Sequence, residues 1–124
     1  FANVSGDNFY AHMDATSLEG TVFDRRVAHG YFVLSKAAGL FVDPKKGPVL
    51  LNYGLEEARF TKPVYPGMTI GVRFTVKEKI NQEKRSEDDI AKGIVKFLVD
   101  VYDETGETVA LATILTMVKK ADQS

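Results

Sequence analysis

The chain has 124 residues, 44% of them hydrophobic, enough for one domain to bury a core without a metal or a disulfide. Its 16 basic and 17 acidic residues nearly cancel, so no strong field exists to hold nucleic acid or an anionic membrane. It contains no cysteine, which excludes a disulfide framework, a thiolate metal site and a cysteine nucleophile; the cytoplasm is the expected compartment.

The first polar stretch is SGDNFYAHMD, Ser5 to Asp14. Asp7 follows Ser5 and Gly6 and precedes Asn8, a setting in which an aspartate bonding its own backbone in a turn is ordinary. As a carboxylate near an imidazole it could instead work with His12 to hold one water, deprotonate it and return a proton to an adjacent carbon. His12 stands between Ala11 and Met13 and fits a hydrogen-bonded core histidine equally well. His12, Asp14 and the later His29 also spell the ligand set of a facial triad for ferrous iron. That motif normally draws its second histidine from a distant strand. Here it lies seventeen residues on, and the strands follow it, so no metal is expected.

Next comes HGYFVLSKAAGLFV, His29 to Val42, apolar nearly all round, which predicts a buried central helix. It is well short of the ~20 residues that a membrane span needs. His29 and Gly30 stand where this helix begins, and the free amides of a first turn, at the positive end of the helix dipole, can polarise a carbonyl oxygen. Gly30 has no side chain to block that approach, and His29 can equally serve only to start the helix.

The remainder reads as strands: LNYGLEEARF (Leu51 to Phe60), the alternating TIGVRFTVKEK (Thr69 to Lys79), GIVKFLVDVYD (Gly93 to Asp103) and TVALATILTMVKK (Thr108 to Lys120). Pro63, Pro66 and Gly67 mark one turn, and DETGE marks a tight hairpin. The charged run Asn81 to Lys92 is expected to be a solvated loop without chemistry. One helix followed by four strands predicts an α+β domain over residues 1–124, a curved antiparallel sheet wrapped around a long central helix, the hotdog architecture. Tyr10, Tyr31, Phe32 and Tyr53 could line a pocket or simply fill a core. Arg25, Arg26 and Lys62 could meet phosphates or lie on the surface.

SGDNFYAHMD, FDRRVAHGYFVLSKAAGLF and LNYGLEEARFTKPVYPGMTI together resemble the MaoC-like hydratases, in the order of that family and over most of the chain. The resemblance implies a hotdog fold and addition of water to 2-enoyl thioesters of coenzyme A, with no cofactor beyond the coenzyme A of the substrate. It implies Asp7 and His12 as the catalytic dyad and the Gly30 amide as the group that binds the thioester oxygen. Tyr10, His29, Tyr31 and Tyr53 then become candidates for the substrate pocket. The wording is most similar to the ring-opening branch of phenylacetate degradation, whose domain follows an aldehyde dehydrogenase domain and hydrolyses an oxepin-type coenzyme A thioester. A homodimer or larger homo-oligomer is also implied, and a fused or associated aldehyde dehydrogenase.

Two departures stand out: almost nothing of the family's leading strand and helix precedes the SGD segment, so a truncated or fused domain is expected, and Met68 stands where many relatives have aspartate. A hotdog thioesterase, or an acyl-CoA binding module without activity, is the alternative. The first would want a carboxylate along the central helix, and Tyr31 to Val42 has none.

Overall fold

The computed structural model describes residues 1–23, 25–41 and 45–120. Two single-turn helices, α1 (Ala2–Ser5) and α2 (Tyr10–Met13), and a 3-10 turn (Ala15–Ser17) lead to α3 (Gly30–Phe41). Four long strands follow: β1 (Val49–Phe60), β2 (Ile70–Gln82), β3 (Lys92–Asp103) and β4 (Thr108–Lys119). The sheet order is β1-β4-β3-β2. The last three strands lie side by side in chain order, and β1 adds outside β4. The Thr61 amide reaches the Val109 carbonyl at 3.0 Å and the Lys119 amide reaches Pro48 at 2.7 Å, so β1 and β4 run antiparallel.

Position in the sheet decides burial. β4 has a neighbour on each side, and its Val109, Ala110 and Ala112 are exposed by 1% or less. β1 is an edge, and all twelve of its residues are exposed. In β2, Ile70, Val72 and Phe74 are half-buried while Arg73, Thr75 and Lys77 are exposed, the alternation expected of a strand with one wet face. The hairpin between β3 and β4 closes as DETGE predicts: the Asp103 amide bonds the Glu107 carbonyl at 2.9 Å, and Gly106 supplies a φ of 87°.

By contacts the chain groups into two units. The first comprises Phe1–Phe41, Phe60–Val72 and Val101–Ala110; the second comprises Val42–Arg59, Arg73–Asp100 and Leu111–Ser124. In the first, Ala11, Leu18 and Val27 form a buried cluster against which Phe23 and Tyr65 pack. In the second, Ile94, Val99, Ala112 and Leu115 are buried. The charged loop 83–91 also belongs to the second unit. There the Lys92 ammonium sits 2.8 Å from Asp89 and, with the Arg85 amide, lowers that carboxyl to about 2.

The expectation of a helix buried on all sides needs correction. In α3 only Val33 and Ala37 are buried, four residues apart on one face, while Tyr31, Phe32, Leu40 and Phe41 are exposed. An apolar sequence shows what a helix can bury; how much of it is covered depends on the neighbours, and within one chain these cover a single stripe. Val42, the expected last residue of the helix, lies outside the described residues. No helix among the described residues is long and apolar enough to cross a membrane.

Candidate active site

The polar stretch near the start folds locally for identifiable reasons. The Ser5 hydroxyl donates back one turn to the Phe1 carbonyl at 3.0 Å, and Gly6 ends that helix in the left-handed region at φ 77°. The Asp7 amide then donates to the Ser5 hydroxyl oxygen at 3.0 Å. The Asp7 carboxylate accepts from the Phe9 amide at 3.3 Å, a long bond, so the turn role foreseen for this aspartate is real but weakly filled. His12, on α2, is half-buried. Its Nδ1 lies 2.6 Å from the Val27 carbonyl and donates to it, which leaves Nε2 as the nitrogen with a lone pair. The structural reading and the catalytic reading of each residue are therefore compatible: the backbone bonds aim the groups, and each keeps capacity to act.

His29 precedes α3, and its carbonyl accepts the Val33 amide at 3.1 Å, opening the helix. Its ring is buried, donates from Nε2 to the Asp7 carbonyl at 2.7 Å, and stacks on the His12 ring at 3.8 Å between centroids with planes 19° apart. Gly30 is the first residue of α3. The space its side chain would occupy is not open. A Cβ there would stand 2.7 Å from carbons of the Phe60 ring, so glycine lets Phe60 lie against the helix start.

Asp7, His12, Gly30 and Tyr31 line one cavity of about 440 Å³, walled also by Val27, Val33, Phe60, Val64 and Val109, all within the first unit. The volume falls in the range of small-molecule sites, and the mix of apolar walls with a few convergent polar groups is typical of them. Tyr10 and Tyr53 are not among its lining residues. Tyr10 is exposed and packs against Phe9, and Tyr53 lies exposed in β1, in the second unit. His29 too is absent from the lining and stands behind it.

Lys62 lines the cavity, yet its ammonium is held by Asp103 at 2.7 Å and Glu107 at 2.6 Å. That pairing, to Asp103 first, raises the lysine well above its usual range and drives Asp103 well below the usual carboxylate range, so Lys62 is committed to carboxylates already in place. Sequence reasoning passed over Asp103 as part of a turn; no local signal pairs it with a lysine 41 residues earlier. Arg25 lies over the Tyr65 ring at 4.7 Å, and Arg26 is exposed.

Asp7, His12 and His29 each bring a ligand atom within 4.8 Å of the others, and Asp14 is not part of the group. The Asp14 carboxylate turns instead to the Thr16 amide at 2.9 Å and the Thr16 hydroxyl at 2.6 Å, as a cap on the 3-10 turn. Imidazole lone pairs lie in the ring plane. Two rings stacked nearly parallel cannot aim both pairs at one ion, so the trio is a poor chelate.

The four-stranded sheet with its single long helix is the hotdog fold, and a carboxylate and an imidazole stand at an apolar cavity beside the helix start. The chain belongs to the MaoC-like domain family, whose model matches residues 1–96. Protein MaoC of Klebsiella aerogenes is 54% identical over 91 residues, 73% of this chain, and the chain spans only 27% of that protein. Among solved structures, a monoamine oxidase regulatory protein from Archaeoglobus fulgius superposes with a TM-score of 0.85 at 28% identity, over 98% of this chain and 79% of that one. The R-hydratase PhaJ1 from Pseudomonas aeruginosa gives 0.67 at 30% identity, over 97% and 70%. The fold alone is shared with a double hotdog protein from Mycobacterium tuberculosis, at a TM-score of 0.75 and 15% identity over 99% of this chain and 37% of that one.

Proposed function

We propose that the domain adds water to, or removes it from, an unsaturated acyl-CoA thioester. The observation that carries this reading is the meeting of the Asp7 carboxylate and the His12 imidazole at a cavity that begins at Gly30. Water held between Asp7 and His12 loses a proton to the dyad as its oxygen bonds the β-carbon. Charge moves to the thioester oxygen, where the Gly30 amide and the α3 dipole stabilise it, and the proton returns to the α-carbon. The likeness to an R-hydratase supports this assignment. Coenzyme A enters as part of the substrate, and the cytoplasm is the compartment that such thioesters imply.

The finer reading is a ring-opening hydrolysis, in which water adds to the conjugated ring of an oxepin-type thioester and the adduct opens to an aldehyde. An aldehyde dehydrogenase, fused or associated, would consume that product. A homodimer is proposed from the fully exposed β1 edge, since pairing removes an open edge. A thioesterase or a binding module is the competing assignment. Crotonyl-CoA and a ring-type thioester tested side by side decide: loss of enoyl absorbance supports hydration, release of free thiol without it means thioesterase, and no change with either means a binding module.

A further inference from the structure

The geometry assigns His29 as the positioning residue of the dyad, a clamp that holds Asp7 by its main chain and His12 by its ring. This rests on the proposed hydratase reading for its kinetic consequences and on the coordinates for its bonds. Three observations converge. His29 does not line the cavity that Asp7, His12 and Gly30 share, and it is 8% exposed, so it is placed behind the reacting groups. Its Nε2 donates to the Asp7 carbonyl at 2.7 Å, across 22 residues, and so ties the turn that carries the carboxylate to the start of α3. Its ring lies 3.8 Å from that of His12 with planes 19° apart, which fixes the tilt of the imidazole whose Nδ1 is already bound to Val27.

The same residue is followed by Gly30, and its carbonyl begins the helix by accepting from Val33. One residue, through its ring and its main chain, therefore joins the Asp7 turn, the His12 imidazole and the start of α3 in a single frame. Its protonation follows from its partner: a carbonyl accepts, so the neutral ring must carry its hydrogen on Nε2, the opposite tautomer from His12.

Two substitutions divide the clamp. His29→Phe keeps a flat ring against His12 and removes the donor to Asp7; His29→Gln places an amide N–H where Nε2 stood. With crotonyl-CoA, His29→Phe should lower kcat about 10²-fold, as a misplaced reacting group does, and leave KM within about threefold. His29→Gln should recover at least about tenfold of that loss, a rescue that bulk in a core would not give. A loss carried by KM would make His29 a pocket wall, and equal rates for Phe and Gln would make it filler; either result overturns the clamp. Should the Phe variant fail to fold by circular dichroism, Gln is compared with His29→Ala on the same terms.

An imidazole ¹H–¹⁵N spectrum gives a readout independent of turnover. The chain has two histidines, so the signals that vanish in His29→Gln belong to His29. At about pH 9, above the ordinary imidazole range, those signals should show the Nε2–H tautomer and the remaining set the Nδ1–H tautomer. A His29 ring averaging between tautomers would overturn the bond to Asp7. A protein inactive on every thioester but with these spectra would remove the hydratase reading and leave the clamp standing.

Discussion

Three turns in the first unit carry an aspartate that bonds the amide two residues on, and those of Asp103 and Asp7 are opposite in chemistry. At β3–β4, Asp103 accepts from the Thr105 amide at 2.9 Å, the Thr105 hydroxyl at 2.6 Å, the Glu107 amide and the Lys62 ammonium. Its side chain is 1% exposed, and four donors converge on it, three on Oδ1 and the Lys62 ammonium on Oδ2. At the start of the chain, Asp7 accepts from the Phe9 amide at 3.3 Å, its one backbone bond among the described residues, and faces His12 across the cavity. Asp14 repeats the Asp103 pattern with Thr16. The difference is legible in three letters: D-x-T supplies a hydroxyl to saturate the carboxylate, while the D-N-F of Asp7 does not. A saturated carboxylate holds a turn; an unsaturated one beside a base is available for reaction.

The largest effect should come from removing the unsaturated charge. Asp7→Asn should cost on the order of 10²-fold or more in turnover of crotonyl-CoA, with the melting temperature nearly unchanged. Turnover within tenfold of wild type would show that the comparison misjudges Asp7. Gly30→Ala comes next. The new Cβ meets the tip of the exposed Phe60 ring at 2.7 Å, which must swing aside from the helix start, so at least about a tenfold loss of activity with little change in melting temperature is expected, checked by rate and by calorimetry.

Asp103→Asn should instead act on stability, lowering the melting temperature by roughly 5 °C or more, because donors are left without their charged acceptor. The pH dependence gives the sign. The Asp103 carboxyl is held below its ordinary value chiefly by Lys62 and then Thr105, so it contributes stability above about pH 4 that is lost as pH falls further. Wild-type stability should therefore decline steeply below about pH 4, and Asp103→Asn should decline less over the same window; urea titrations at several pH values measure it. The Lys62 ammonium is shifted the other way, so its share is present below about pH 10 and lost on stronger alkali.

The strands were readable because their signals are local. Alternation in β2 and the DETGE turn place themselves, and the structure moves strand ends by one to three residues: β1 begins at Val49, β2 runs from Ile70 to Gln82, β3 begins at Lys92 and β4 ends at Lys119. The site was readable in its parts and not in its assembly. Asp7, His12 and Gly30 were singled out by residue type and resemblance, yet the stacking of His12 on His29 and the seating of Phe60 on Gly30 join residues 17 and 30 positions apart, which no window on the sequence couples. The exposure of α3 was misread for the same reason, since burial is a property of neighbours. Met68 is held by a local bond that residue type did not announce: its sulfur accepts the Tyr65 amide at 3.2 Å across the turn.

The smallest and most selective test transplants one turn's chemistry into the other. Phe9→Thr turns D-N-F into D-N-T and offers Asp7 the hydroxyl that Thr105 gives Asp103. The Phe9 ring also packs against Tyr10 and His12, so its loss must be separated, and Phe9→Val does so with the same shape and no hydroxyl. A new bond of about 0.5–1.5 kcal/mol to the ground-state carboxylate should make Phe9→Thr two- to tenfold slower than Phe9→Val. The same bond should raise its melting temperature slightly, measured in parallel. Equal rates in the two variants would mean that spare bonding capacity is not what separates the aspartate proposed to react from the structural one, and that position at the cavity alone decides.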